Sequence, residues 1–405
     1  MEFNADFFRG NRRRLPVKAG TDLIVIAANG LLQSSADNTF PFKQNSNFWY
    51  LTGIDEPDTV LVINGTDEFL IVPPRDKIRV IFDGAIDKLA LSQTSGINQV
   101  MDNKDGWLHL ASILKKTKKA GTILPPPPYV RQMGFHTNPA PARLRRRIKT
   151  INKKIAFIDL RQQLANMRII KQLPELAALQ KAVDITVDSF KEVLARRQKF
   201  DWEYQIAADL DASFRRRGAN GPAFPTITAS GPNACILHYN SNNHKLRSKD
   251  LVLIDAGAEV SHYASDITRT IALATPSVRQ QEVFDAVLSV QKFAISLLKP
   301  GAVLEDYTAK IDKFMGDQLL SLGLIKKNNA KNVRQYWPHS VSHFLGLDVH
   351  DGRGWHQPLA AGMVLTVEPG IYIPEEGIGI RIEDDILITD TGNKVLSAAL
   401  VRKLI

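Results

Sequence analysis

Carboxylates stand in or beside apolar runs in the second half of this 405-residue chain, and that placement constrains the fold more than any other feature. Leu251-Val252-Leu253-Ile254-Asp255 reads as a strand ending on an acid. Alternation puts Leu251, Leu253 and Asp255 on one face and Val252 and Ile254 on the other. Farther on, Asp266 opens a second strand in which Asp266, Thr268 and Thr270 share a face, with Ala256-Gly257 starting the turn between. Val364 to Val367 runs into Glu368-Pro369-Gly370, an apolar strand ending in an acid and a turn. Gly379 to Asp385 alternates Arg381, Glu383 and Asp385 against Ile380, Ile382 and Asp384. An acid in such surroundings is costly unless it is paired or holds a cation. The first pair has two readings. Either Asp255 and Asp266 come together around a cation, or one sits in a turn and the other pairs with Arg269.

His339, His343 and His350 fall in one short span, out of nine histidines in the whole chain. Singly, each reads as a structural or surface histidine; the clustering argues for more. Four carboxylates and one imidazole suit two divalent cations of hard to borderline type, Mn²⁺ best, with Co²⁺, Zn²⁺, Mg²⁺ or Fe²⁺ also compatible. Two ions about 3.5–4 Å apart can hold a bridging hydroxide and polarise a carbonyl at once, which is hydrolytic chemistry.

The length implies two domains. Up to about residue 165 the texture is α/β. Asp22 to Ala27, Val60 to Ile63 and Phe69 to Val72 are short apolar runs suited to buried strands, and Asp105 to Lys116 is predicted helical. Pro125 to Pro128 and Asn138 to Pro141 read as loops. Pro174-Glu175 then opens a helix, with Leu176, Leu179, Val183 and Val187 at helical spacing. From there a coarse duplication is predicted. Helices over 174–197 and 201–217 lead to strands 226–229, 251–255 and 265–273. Helices over 277–298 and 304–322 lead to segments 339–350, 363–368 and 378–388. A duplicated α+β unit with its site between the halves is the simplest architecture.

The charge of +10 raises the question of nucleic acid. The basic residues cluster at Arg12-Arg13-Arg14, Lys115 to Lys119, Arg143 to Arg147 and Arg215-Arg216-Arg217, scattered and without stacking aromatics. They are expected to be solvated helix faces, with no nucleic-acid partner. The single cysteine, Cys235, allows no internal disulfide and suits a reducing compartment. The first residues carry acids and no apolar run follows them, so neither a secretory signal nor a membrane span is expected, and the cytoplasm is the default location.

In order and local context, Asp255, Asp266, His343, Glu368 and Glu383 resemble the five metal ligands of the pita-bread metallopeptidases. The contexts are LVLIDAG, SDITRT, SHFLGLDVHD, VLTVEPGIYI and GIGIRIEDDI. With Asn45 to Gly53 (NSNFWYLTG) and Cys235-Ile236-Leu237-His238-Tyr239, the likeness is greatest to the aminopeptidase P branch and covers nearly the whole chain. It implies a creatinase/aminopeptidase P-type N-terminal domain over 1–168 and a pita-bread catalytic domain, a duplicated ααβ unit, over 169–405. It implies metal-dependent release of the first residue from peptides with proline second, with a hydroxide bridging the two metals. Asp255 and Asp266 would bind one metal, His343 and Glu368 would complete the other, and Asp266 and Glu383 would be shared. Glu368 would also shuttle protons. His238 and His350 would contact the substrate near the scissile carbonyl and the proline, Arg381 and Tyr372 would form a supporting shell, and His339 also matches a family histidine. Ser340 stands where glycine is the commoner residue. A homo-oligomer, dimer or tetramer, is implied. A dipeptidase of the same fold, or a pita-bread protein that binds peptides without cleaving them, are the rival readings.

Overall fold

The computed structural model describes residues 3–126, 130, 134–352 and 357–404; Pro127 and Pro128 of the proline run lie outside them. The chain falls into two compact units, Met1–Leu164 and Ala165–Ile405.

In the first unit, the three apolar runs are strands of one sheet. Its strands are β1 (Leu23–Ala27), β4 (Val60–Asn64), β5 (Asp67–Ile71), β6 (Gln99–Met101), β7 (Lys119–Thr122) and β8 (Ala156–Asp159), in the order β6-β5-β4-β1-β7-β8. The small β2 (Gln33–Ser35) and β3 (Asn38–Thr39) pair only with each other. Every residue of β1 is buried, as befits a strand flanked on both sides within the sheet. Trp107, Leu110 and Leu114 of the helix Asn103–Leu114 join Leu144 and Ile148 of the helix Ala140–Ile151 in a core with Val25, Val62 and Phe69. The NSNFWYLTG segment is the helix Ser46–Thr52. Its first amides are capped by the Asn45 side chain and its end by Gly53 in the left-handed region.

One expectation changes here. Ala140 and Pro141 are not loop but the first turn of a helix, where proline lacks only an amide that would have no helical partner. The basic clusters lie mostly at the surface, as expected, with Arg12 the exception and several other arginines engaged by neighbours. Arg12 is fully buried, donating to Glu68 at 2.9 Å and to the carbonyls of Leu51 and Ser95. Arg147 lies 3.7 Å over the Trp107 ring, and Arg143 pairs with Asp58 at 2.7 Å. Arg217 pairs with Glu192 at 2.5 Å. A guanidinium presents several donors in a plane, so it can satisfy buried carbonyls or stack on a ring as lysine cannot.

The second unit follows the duplicated plan. Helices Leu173–Ala195 and Glu203–Arg216 precede β10 (Ile227–Ser230), β11 (Leu251–Ala256) and β14 (Ile267–Ala272), which form an antiparallel sheet β10-β11-β14. A smaller sheet, β13-β12-β9, comprises β9 (Gly221–Pro222), β12 (Ala258–Val260) and β13 (Tyr263–Ala264). Helices Val278–Leu297 and Leu304–Ser321 precede the sheet β15-β18-β19 and the pair β16-β17. Those strands are β15 (Val364–Val367), β16 (Gly370–Ile373), β17 (Ile378–Arg381), β18 (Asp384–Ile388) and β19 (Asn393–Val395). As predicted, the helix Leu173–Ala195 carries Pro174 in its first turn, and Glu175 accepts from the Gln172 amide at 2.9 Å. Leu179, Val183 and Val187 are buried at helical spacing. Each such side chain contributes about 1.5–3 kcal/mol on leaving water. The segment 339–350 is a loop rather than a strand, joined to β15 by a bridge between Phe344 and Leu365 and further held by the Glu368 amide donating to Val341 O and the Ala264 amide to Gly346 O. It folds on itself, with Gly346 N–H donating to Asp348 O and Asp351 N–H to Phe344 O.

Candidate active site

The acids sit where strands break. Asp255 on β11 faces Thr268 on β14, and Asp266 immediately precedes β14. The residues between them form a hairpin of their own, β12 to β13, with Ser261 and His262 both at positive φ as a two-residue turn requires. At Gly257 a side chain would collide with the Ser265 carbonyl, so glycine permits the close approach that brings Asp255 and Asp266 together. In the other half, Glu368-Pro369 interrupts β15 and β16 rather than ending in a turn, and Ile382-Glu383 interrupts the antiparallel partners β17 and β18. Val367 faces Asp384 and Gly370 faces Arg381, so the two interruptions lie opposite each other. The Glu383 amide donates to Thr268 O at 3.1 Å and joins the two halves.

These elements bring the predicted ligands to one place. Ligand atoms of Asp266, His343 and Glu383 lie within 4.8 Å of one another. His343 Nε2 is 3.4 Å from Asp266 Oδ2 and 3.5 Å from Glu368 Oε1. Asp255 joins through Arg381, whose Nη2 reaches its Oδ2 at 2.5 Å, while its buried Oδ1 has no hydrogen-bond partner among the described residues. On the other side of His343, Nδ1 is 3.2 Å from Phe344 O and must donate to it, which leaves the Nε2 lone pair facing the acids. Burial, then Asp255, Asp385 and Glu368, push Asp266 well above the usual carboxylate range. Burial, then Asp266, Glu368 and Asp255, raise Glu383 in the same way, and burial raises Glu368 against the opposing pull of His343 and Arg381. A buried cluster of acids with one guanidinium among them is a poor ion-pair network and a good cation cradle. The donor set, hard oxygens with one imidazole, fits divalent ions.

The sign of the pH dependence follows. Acids with raised values hold protons in the folded protein that the unfolded chain has already released above 3.8 to 4.5. Their contribution to stability therefore falls as pH rises toward the folded values, and a bound cation relieves that loss. The rise in melting temperature on adding Mn²⁺ to chelator-stripped protein is expected to be larger at about pH 8 than at about pH 5.5. Differential scanning fluorimetry at both pH values checks this, and an equal or reversed gain would contradict it.

Behind the acids stands a chain of hydrogen bonds. Arg381 donates from Nη1 to the Tyr372 hydroxyl at 2.9 Å and from Nε to Thr268 Oγ1 at 3.1 Å, and the Thr268 hydroxyl donates to Glu383 at 2.7 Å. Tyr372 in turn donates to His339 Nε2 at 2.8 Å, since His339 Nδ1 donates to Ser340 O. Burial, helped by Arg381, lowers His339 to about 3, so it is neutral and its 3.5 Å approach to Glu368 is not an ion pair. Burial pushes Tyr372 up to about 12. Ser340 is not among the non-glycine residues at positive φ, so serine carries no backbone strain there.

His350 is exposed, with its ring centroid 4.4 Å from that of His343. His238 is exposed on the turn after the short 3₁₀ helix Gly231–Cys235. Among the described residues, no hydrogen bond, ion pair or ring contact joins it to the four acids and the imidazole. The pairing of an active-site acid with Arg269 does not occur: Arg269 bonds Asp384 at 2.7 Å, facing away from the cluster.

Two supports were not apparent in the sequence. Asp385, fully buried, accepts from the Asp266 amide at 3.1 Å. Glu203, fully buried, accepts from the Ser230 amide and hydroxyl, Asn233, the Tyr239 hydroxyl and the His244 amide, and so organises the loop that carries His238. In sequence Glu203 looks like any acid in a helix's first turn.

Known proteins resemble this chain throughout. The sequence pattern of metallopeptidase family M24 matches residues 177–390, and that of the aminopeptidase P N-terminal domain matches residues 8–123. The Xaa-Pro aminopeptidase of Escherichia coli K12 is 34% identical over 99% of this chain and 96% of its own. Human Xaa-Pro aminopeptidase 3 is 33% identical over 94% of this chain and 79% of its own. Zinc-substituted E. coli aminopeptidase P in complex with product superposes with a TM-score of 0.85 at 34% identity, covering 100% of this chain and 97% of that one.

Proposed function

The chain belongs to metallopeptidase family M24, and on that footing we propose that it removes the N-terminal residue from peptides whose second residue is proline. The observation that carries this reading is the convergence of Asp266, His343, Glu368 and Glu383 with Asp255 at one buried place. Asp255 and Asp266 would hold one divalent cation, His343 and Glu368 would complete a second, and Asp266 and Glu383 would serve both. Mn²⁺ suits this set best, with Co²⁺, Zn²⁺, Mg²⁺ or Fe²⁺ as substitutes. Bound there, the ions would supply Lewis acidity toward the scissile carbonyl and acidify a water for attack near neutral pH.

The chain's own residues do the rest. Glu368, the half-buried acid beside His343, takes a proton from the attacking water and delivers it to the departing proline nitrogen. As the water oxygen bonds to the carbonyl carbon, the carbon–nitrogen bond breaks and proline leaves as the new N-terminus. His350 and His238 contact the substrate near the scissile carbonyl and the proline. Arg381, Tyr372 and neutral His339 hold Asp255 and Glu383 in place through the chain described above.

No helix among the described residues is long and apolar enough to cross a membrane. We place the enzyme in the cytoplasm, in keeping with its lone cysteine, acting on peptides as a dimer or tetramer with no role in binding nucleic acid. The pairing of Arg12, Arg143, Arg147 and Arg217 within the protein supports the last point.

The test uses chelator-stripped protein restored with Mn²⁺ and offered Xaa-Pro-Yaa, Xaa-Ala-Yaa and Xaa-Pro. Metal-dependent cleavage confined to the first is expected. Preference for the dipeptide would make the protein a dipeptidase, and metal uptake without cleavage of any would make it a binding protein.

A further inference from the structure

A buried charge cluster that takes no part in the chemistry lies against the loop carrying His350. Arg168, at the end of the helix Arg161–Arg168, is buried, and its Nη2 lies 2.6 Å from Asp348 Oδ2 and 2.6 Å from Asp351 Oδ1. Those two acids flank Val349-His350. Asp351 is buried too, and its second oxygen is 3.3 Å from Lys171 Nζ, which is also buried. The Gly352 amide donates to Asp351 Oδ1 at 2.8 Å, and the Asp351 amide donates to Phe344 O, next to His343. The loop packs closely on this carboxylate: a side chain at Gly346 would run into Asp351 Oδ2.

We infer that Arg168 is a positioning residue for His350: one guanidinium grips the carboxylates on both sides of it and thereby fixes its ring against His343. The inference rests on the reading of His350 as a substrate contact. The physical reason is the shape of the donor. A single planar guanidinium can bridge two carboxylates in fixed geometry, whereas an ammonium is a point charge on a flexible stem. Burying Asp351 with Arg168 and Lys171 keeps its charge compensated without water, so the loop has little freedom to rearrange.

A double-mutant cycle tests this, using cleavage of Xaa-Pro-Yaa by the Mn²⁺-loaded full chain. Arg168→Lys keeps the charge but not the bridge, and is expected to lower kcat/KM about tenfold, in the range typical of groups that orient active-site residues. In a His350→Ala background the same substitution is expected to cost no further activity, with melting temperature and bound metal matching His350→Ala alone. Losses that multiply across the two backgrounds, or no loss in the natural background, would overturn the positioning role and leave the reading of His350 intact. His350→Ala with undiminished kcat/KM would remove that reading and the positioning role with it. Should Arg168→Lys not fold, Asp348→Asn releases one end of the grip at a partly exposed side chain, and the same comparison of backgrounds decides.

Discussion

Glu368→Gln is expected to lower kcat on an Xaa-Pro peptide by about 10²–10⁴-fold, the usual cost of removing a general base, with the protein still folded. The amide oxygen of glutamine keeps the size and some of the coordinating capacity of the carboxylate, but it can neither take a proton from water nor return one to the proline nitrogen. Glu368 is suited to both. It lies 3.5 Å from His343 Nε2, half-buried among the acids where the attacking water would sit. Metal content measured alongside the kinetics separates the two duties assigned to this residue. Loss of rate at full metal occupancy points to proton transfer, and loss in proportion to lost metal points to coordination alone. Full turnover in the variant would rule out Glu368 as the proton shuttle.

The largest effect on stability is expected at a residue that touches no substrate. Arg269→Met should destabilise the protein by about 3–5 kcal/mol, read from the midpoint of urea denaturation. Arg269 is 3% exposed and donates to the Asp384 carboxylate and to four carbonyls, those of Thr268, Glu383, Leu400 and Val401. Thr268 lies on β14 and Glu383 in the break between β17 and β18, while the other two belong to the C-terminal segment, so one side chain ties the end of the chain beneath the site. Methionine fills the volume but leaves the carbonyls without their donor in a place water does not reach. Arg402 and Ser397 still hold Asp384, at 2.6 and 2.5 Å, so the lost carbonyl bonds rather than a stranded charge dominate the effect. A change within about 0.5 kcal/mol, the scale of ordinary surface substitutions, would show that the C-terminal segment is held by other contacts.

Much of this was legible along the chain because it is local. The helices Leu173–Ala195, Glu203–Arg216, Val278–Leu297 and Leu304–Ser321 follow the predicted ranges closely, since apolar spacing and first-turn residues act over a few positions. The alternation of Arg381, Glu383 and Asp385 against Ile380, Ile382 and Asp384 also held. Arg381, Glu383 and Asp385 turn toward the acid cluster, while Asp384 turns to Arg269. Where local signals misled, a specific competitor won. Pro141 proved a helix opener because the preceding Asn138-Pro139 turn supplies the start, with Asn138 Oδ1 accepting from the Ala140 amide. Glu368-Pro369-Gly370 looked like the end of a strand, yet Gly370 begins β16 because β17 is there to pair with it.

The sequence by itself determined the kinds of residue available and their short-range order: acids beside apolar strands, a histidine cluster, two pairs of amphipathic helices and the glycine that allows Asp255 and Asp266 to approach. Only the tertiary structure decided which charge meets which. It gave Arg269 to Asp384, Arg381 to Asp255, the Asp266 amide to Asp385, and Arg168 to Asp348 and Asp351. These partners stand more than a hundred residues apart, so no periodicity or turn chemistry links them. They meet because a buried charge must find its counterpart within a few ångströms, and the folded backbone alone sets which one is in reach.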